Sequence, residues 1–234
     1  MQGSHIRKRL QAGEAVGMIN PHHNSPTLAS RLIEHGADAI FVDCEHGPWG
    51  FEDVRVTGQT VRGAGGAMIV RPDSHQRSLI IRYLNVGADG IMVPMVNTAD
   101  EARNIVECVR YAYPADFDER LIICMIENIN TIRNDLDAML EVEGVDVFFI
   151  GPSDLAQSMG LLPRTKYGIS ARQEVEEMVE LALSKISAAG RIGGTVASAE
   201  KVDHWTRKGA RFIYYHADPI LRFGIERLQG KLAL

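Results

Sequence analysis

Gly36-Ala37-Asp38-Ala39-Ile40-Phe41-Val42-Asp43 is the stretch that decides the fold. A glycine suited to ending a helix is followed by a carboxylate and then by an unbroken apolar run. The pattern returns at Gly87-Ala88-Asp89-Gly90-Ile91, and in looser form at Gly144-Val145-Asp146 and Gly209-Ala210-Arg211. The copies stand about 50 to 65 residues apart, room for two strand–helix units each. A second apolar run lies ahead of each copy. The predicted strands are therefore Ala15–Asn20, Ala39–Glu45, Ala67–Arg71, Gly90–Val96, Leu121–Glu127, Val145–Gly151, Ile192–Ala197 and Phe212–His216. They are continuously apolar rather than alternating, as parallel strands covered on both faces are.

The segments between the strands read as helices. Thr98 and Glu101 form a capping box ahead of Ala102, Ile105, Val106 and Val109. Leu79, Ile80, Tyr83 and Leu84 make a helical stripe that stops at Gly87, and Val175, Met178, Val179, Ala182 and Ile186 make another that stops at Gly190. Eight units of about 29 residues predict an α/β fold, a closed (β/α)8 TIM barrel, spanning 1–234 as a single domain. A short terminal helix over Pro219–Leu228 is available to pack against, or exchange with, a second subunit. An open doubly wound sheet is the alternative, but Gly63-Ala64-Gly65-Gly66 precedes a strand instead of following one, so no dinucleotide loop is present.

Composition agrees with a globular enzyme-sized domain. The 234 residues are 45% hydrophobic and 24% charged, with 25 Lys+Arg against 30 Asp+Glu and a net charge of −5. Mild acidity without a basic stripe argues against nucleic acid as a partner. No apolar run approaches the roughly 18 residues of a membrane span, and the polar, basic start is unlike a secretory leader. Three cysteines, Cys44, Cys108 and Cys124, give no disulfide framework and fit a reducing, cytoplasmic setting as buried thiols.

A barrel of this kind builds its site at the C-terminal ends of its strands. Those ends carry Asn20-Pro21-His22-His23, Asp43-Cys44-Glu45-His46, Arg71-Pro72, Pro94-Met95, Glu127, Gly151-Pro152-Ser153-Asp154 and His216-Ala217-Asp218. Glu127 and Asp154 end consecutive strands. Two carboxylates facing one cavity repel unless they share a proton or a cation, and oxygen ligands suit Mg²⁺ or Mn²⁺. The other reading makes them N-caps of the helices that follow. Arg71 ends a buried run, so it is either paired with Asp43 or Glu45 or used on a ligand. Asp43 and His46 are spaced for an acid that orients a histidine base, although a core histidine satisfied by its neighbours fits as well. Lys8, Lys166, Lys185, Lys201, Lys208 and Lys231 avoid the strand ends, which disfavours Schiff-base chemistry.

Phe41-Val42-Asp43-Cys44-Glu45-His46-Gly47-Pro48, Val70-Arg71-Pro72, Gly90-Ile91-Met92-Val93-Pro94-Met95-Val96, Ile126-Glu127 and Gly151-Pro152-Ser153-Asp154-Leu155 together resemble the HpcH/HpaI aldolase family. The resemblance runs in order from about Ala15 to Asp218. It implies a (β/α)8 barrel assembled as a homo-oligomer, commonly a hexamer, acting on pyruvate and an aldehyde. The activity implied is a divalent-metal-dependent cleavage or formation of 4-hydroxy-2-oxo acids through a pyruvate enolate, with Mg²⁺, Mn²⁺ or Co²⁺. It implies metal ligation by Glu127 and Asp154, substrate contacts from Arg71, Gly151, Pro152 and Ser153, and His46 as a base oriented by Asp43. The alternatives are an oxaloacetate decarboxylase, another pyruvate-enolate enzyme on the same site, or a non-catalytic barrel that binds 2-oxo acids. The sequence departs from the family pattern at Asn85, Met125, His216 and His22. The short connection Tyr113–Arg120 carries the further expectation that the site mouth is more open or that its closure is handed to a neighbouring subunit.

Overall fold

The structure is a computed structural model and describes residues 2–161 and 173–232. Eight parallel strands close into a barrel in the order β1 to β8. They are β1 (Val16–Asn20), β2 (Ala39–Asp43), β3 (Ala67–Arg71), β4 (Gly90–Val93), β5 (Leu121–Ile126), β6 (Val147–Ile150), β7 (Gly193–Val196) and β8 (Ala210–His216). Helices α1 (Gln2–Gln11), α2 (Pro26–Glu34), α3 (Phe51–Gly63), α4 (Arg77–Asn85), α5 (Ala99–Ala112), α6 (Leu136–Leu140), α7 (Pro152–Ser158), α8 (Gln173–Ala188), α9 (Val202–Arg207) and α10 (Ala217–Leu232) accompany them. The eight expected strands are all present, and the sequence misplaces only their ends.

Two strand ends and one helix show the differences. β4 stops at Val93 because Pro94 cannot donate to the ladder and Met95 turns into the left-handed region, with φ of 52°. β6 begins two residues late because the side chain of Asp146 is occupied with the neighbouring strand. The last helix is longer than expected and starts directly from β8 at Ala217. Its Ile220, Leu221, Phe223, Ile225 and Leu228 are all exposed.

The repeated Gly-Ala-Asp has a structural reason. Gly36, Gly87, Gly144 and Gly209 all carry positive φ, so each reverses the chain out of a helix where a side chain would be strained. The carboxylate then accepts a backbone N–H from the start of the preceding strand. Asp38 takes that of Gly17, Asp89 that of Met68, and Asp146 that of Ile122. The fourth copy has Arg211 instead, and the β7–β8 register shifts there, at Gly193/Gly194.

Apolar burial falls into two layers. Val42, Met68, Ile91, Ile122 and Phe148 face outward to the helices. Met18, Phe41, Ile69, Met92, Ile123, Phe149 and Phe212 fill the barrel interior, joined by Ile6 and Leu10 of α1. α1 therefore plugs the N-terminal end. Ile6 and Leu10 are each 2% exposed, and each burial stabilises by about 2 kcal/mol. Tyr113–Arg120 also lies at this plugged end, where Glu119 accepts from Ser4 of α1. The connection therefore lies at the end of the barrel opposite the mouth.

Candidate active site

At the C-terminal end of the strands the barrel opens into a cavity of about 570 Å³. His22, Asp43, His46, Arg71, Met125, Glu127, Gly151, Pro152, Ser153, Asp154 and His216 all line it. Most of the strand ends quoted from the sequence thus send a side chain to one mouth, while His23, Cys44, Glu45, Met95 and Asp218 do not line it.

Glu127 follows directly on β5 and is 1% exposed. Its Oε2 accepts the backbone N–H of Met95 at 2.8 Å. The left-handed turn at Met95 aims that N–H inward, and a non-glycine residue in this region marks a constrained site. Oε1 is buried and has no hydrogen-bond partner. Burial raises the Glu127 pKa, the Met95 N–H opposes the rise, and the nearby Asp154 carboxylate adds to it. A Cβ at position 151 would press on Glu127 Oε1 and stand 2.8 Å from its Cγ, so only glycine leaves this carboxylate room. The N-cap reading fails for both acids. Gly151 caps α7, and Asp154 lies within that helix's first turn rather than at a strand end.

These residues fit a divalent cation. The orphaned buried Oε1, the second carboxylate beside it and the glycine that makes space form an all-oxygen half-shell. Among the described residues no three His, Cys, Asp or Glu side chains gather closely enough to enclose an ion. The remaining positions of the shell would therefore go to water or substrate.

Register settles the fate of Arg71. Parallel pairing sets Asp43 directly against Arg71. Arg71 Nε donates to Asp43 Oδ1 at 2.9 Å and Nη2 to Oδ2 at 2.7 Å. Nη1 meets Glu45 Oε2 at 3.0 Å. Burial works to raise the Asp43 pKa, but the guanidinium outweighs it and holds the carboxyl below its ordinary range. Burial raises the pKa of Glu45, against the pull of Arg71. Two of the five guanidinium N–H groups are hydrogen-bonded to Asp43 and Nη1 is drawn toward Glu45, which leaves N–H groups for a ligand.

Among the described residues Asp43 meets His46 through its backbone and not through its imidazole. Asp43 Oδ1 instead accepts the backbone N–H groups of Glu45 and His46, shaping the turn after β2. The His46 side chain is 65% exposed, and its nearest charged partner is Glu45, at 3.8 Å. A bidentate guanidinium out-competes an imidazole for the same two oxygens.

A second histidine arrangement takes shape where the barrel closes. β1 pairs with β8, setting Asn20 against His216. His22 Nε2 lies 2.6 Å from His216 Nδ1, and the rings lie nearly coplanar, tilted by 8° with centroids 4.8 Å apart. Asn20 shapes this turn by accepting the His22 backbone N–H, and it donates from its amide to the Tyr214 hydroxyl. Tyr214 in turn sits edge-on to His216. Burial pushes His216 down to about 4, with help from the adjacent His22, and burial also lowers His22. Both histidines stand out in the sequence, but Tyr214 does not. No local pattern marks Tyr214, because only barrel closure brings it to Asn20.

Other expected residues fall into place more simply. Met125 points into the cavity and is 5% exposed. Asn85 is exposed at the end of α4, on the plugged side, and accepts from the Tyr113 hydroxyl. Among the described residues no lysine lines the cavity; Lys166 lies outside them. Cys44, Cys108 and Cys124 are free thiols, and burial pushes Cys44 up to about 12, so it is inert at neutral pH. No described helix is long and apolar enough to cross a membrane.

A family model described as HpcH/HpaI aldolase/citrate lyase matches residues 18–218. A 2-keto-3-deoxy-L-rhamnonate aldolase of Klebsiella pneumoniae is 31% identical, over 92% of this chain and 88% of that protein. The HpcH/HpaI aldolase from Desulfitobacterium hafniense superposes with a TM-score of 0.82 at 25% identity, covering 97% of this chain and 96% of that one. A structure of a protein of the same family from Burkholderia cenocepacia gives 0.85 at 24% identity, over 97% and 98%. That last likeness speaks for the fold.

Proposed function

The chain belongs to the HpcH/HpaI aldolase/citrate lyase family, and from that premise we propose that it is a divalent-metal-dependent carbon–carbon lyase that makes or breaks 4-hydroxy-2-oxo acids through a pyruvate enolate. The observation that carries the proposal is the buried, unpartnered Oε1 of Glu127, facing Asp154 with Arg71 in the same cavity. Two like charges held together in a dry pocket are unfavourable unless a cation relieves them.

Glu127 and Asp154 would hold the ion, which when bound supplies Lewis-acid polarisation of a 2-oxo acid. Arg71 would direct its remaining N–H groups at the keto oxygen, where negative charge develops as the enolate forms. Its clamp on Asp43 and Glu45 fixes it beforehand, so little reorganisation is needed. The first-turn N–H groups of Ser153 and Asp154 have no intrahelical acceptor and would receive the substrate carboxylate, with Gly151 and Pro152 lining the approach. The relatives' aldolase name supports a hydroxylated 2-oxo acid as the substrate class.

The test follows the pyruvate methyl signal by NMR in D₂O, with Mg²⁺, Mn²⁺ or Co²⁺ and again with chelator. Metal-dependent exchange that is lost in Arg71→Ala is the expected result. Absence of exchange with every metal would overturn the enolate reading.

A further inference from the structure

We propose that the His22–His216 pair sets the aldehyde specificity of the reaction, hydrogen-bonding a hydroxyl of an uncharged aldehyde and disfavouring an aldehyde that carries a carboxylate. The inference rests on the lyase reading above and names the class of its second substrate. It leaves His46 in the acid–base role that the family resemblance implies.

Placement is the first support. The groups that would anchor the 2-oxo acid, Arg71, Glu127 and Asp154, stand on β3, just past β5 and in α7. In the closed order, β8 and β1 lie across the barrel from β4 and β5. The wall left for the aldehyde is therefore made by Asn20, His22, Val196, Tyr214 and His216. Val196 offers no polar group. Asn20 is used at both ends of its amide, accepting the His22 backbone N–H and donating to the Tyr214 hydroxyl. That hydroxyl is held between Asn20 and His216. The histidine rings are what remains on this wall to meet a polar substrate group.

Chemistry is the second. The 2.6 Å contact between His22 Nε2 and His216 Nδ1 uses one ring nitrogen of each residue. The outer nitrogens, His22 Nδ1 and His216 Nε2, have no hydrogen-bond partner among the described residues. Burial favours the neutral form of both rings. Two neutral rings in this contact share one bridging proton, so one outer nitrogen is a lone pair and the other an N–H. A hydroxyl both donates and accepts, and it is matched in either tautomer. A carboxylate only accepts. The anionic groups acting on the pair, Asp218 and Asp43, repel it. Among the described residues Arg71 is the one guanidinium or ammonium group lining the cavity, and it is engaged with Asp43 and Glu45. A second carboxylate would find no cation of its own there.

Construction is the third. Tyr214 sits edge-on to His216, and His22 takes a left-handed backbone with φ of 57° to reach its partner. A non-glycine residue persists in that region where its surroundings hold it.

Matched aldehydes test the assignment. With Mn²⁺ and pyruvate, kcat/KM would be measured for glycolaldehyde against acetaldehyde, which differ by one hydroxyl. Succinic semialdehyde against butanal, which differ by a carboxylate, makes the second pair. The variants are His216→Leu and His22→Asn, since asparagine tolerates the left-handed backbone and is too short to bridge. The parent should favour glycolaldehyde over acetaldehyde by about tenfold or more, the scale of a substrate hydroxyl bound by hydrogen bonds. It should use succinic semialdehyde less well than butanal. Both variants should bring the glycolaldehyde preference to within about twofold of unity, the hydrogen bonds being gone. Pyruvate methyl exchange involves no aldehyde, and its retention in the variants shows that they fold. The proposal is overturned if the parent shows no preference for the hydroxyl, if it prefers succinic semialdehyde to butanal, or if either variant keeps the parent's preference. A parent that exchanges pyruvate protons but adds to none of these aldehydes overturns this inference alone. A parent without exchange overturns the enolate reading, and this inference with it.

Discussion

Carboxylates stand at both ends of this barrel, and they do opposite work. At the plugged end Asp38, Asp89 and Asp146 each accept a strand N–H, and each has an arginine nearby. Arg9 pairs with Asp38, Arg7 Nε lies 2.6 Å from Asp146, and Arg62 stands 3.9 Å from Asp89. Asp89 leaves one oxygen without a hydrogen bond, but an opposite charge faces it. At the open end Glu127 also leaves one oxygen bare, and the strongest charge acting on it is another carboxylate, Asp154, with Arg71 opposing it in the smaller degree. One set of acids staples strands together. The other is held in an unfavourable state that a ligand can relieve, as functional sites commonly are.

Substitution at the open end should show the largest effect. Glu127→Gln keeps the volume and removes the charge. Aldol turnover and pyruvate exchange should fall at least about 1000-fold, the scale of lost electrostatic stabilisation of an oxyanion. Urea unfolding without metal should show equal or greater stability, by about 1 kcal/mol, because a carboxyl whose ionisation is opposed by burial is gone. A Glu127→Gln variant as active as the parent, or markedly less stable, would break the contrast.

The plugged end should give the reverse pattern. Asp146→Ala removes the partner of partly buried Arg7 and the acceptor of the Ile122 N–H. A loss of about 3 kcal/mol is expected from the broken pair and the unsatisfied strand N–H together. At roughly 2–4 °C per kcal/mol for a chain of this size, the midpoint of thermal unfolding should drop by about 6–12 °C. Turnover measured well below that midpoint should stay within a few-fold of the parent. A large loss of turnover with no change in stability would sink the assignment of this acid to the scaffold.

A smaller effect concerns pH. His216 falls to about 4 in the folded chain, chiefly through burial. Its ordinary value is near 6.5, so between these limits the unfolded chain binds more protons and stability declines as pH falls. The neutral form is fully favoured above about 6.5, and the contribution is lost toward pH 4, amounting to about 2 kcal/mol after allowance for partial exposure. Denaturation at pH 7 and pH 4.5 should therefore show a smaller drop for His216→Gln than for the parent. Equal drops would place the acid sensitivity elsewhere, for instance at Asp43, whose lowered pKa makes its stabilisation fade only at more acidic pH.

Much of the molecule was legible in local sequence. Each apolar run is a strand and each glycine break a helix end, because periodicity and positive φ are properties of a few adjacent residues. The strand ends likewise announce which side chains gather at the mouth, since every parallel strand of a barrel ends on the same side. What a residue pairs with at that mouth is not local. Asp43 stands three positions from His46, yet it takes Arg71, because parallel register lays β3 beside β2 and a guanidinium fork satisfies both carboxylate oxygens. The N–H that holds Glu127 comes from Met95, through a left-handed turn that no residue type signals.

The histidine pair is the clearest case. His22 and His216 lie at opposite ends of the chain and meet only because β8 closes on β1. The sequence by itself determined the barrel, its polarity and the set of residues that face the cavity. Register and closure decided which of them are partners, because those depend on how distant strands align and not on what any strand contains.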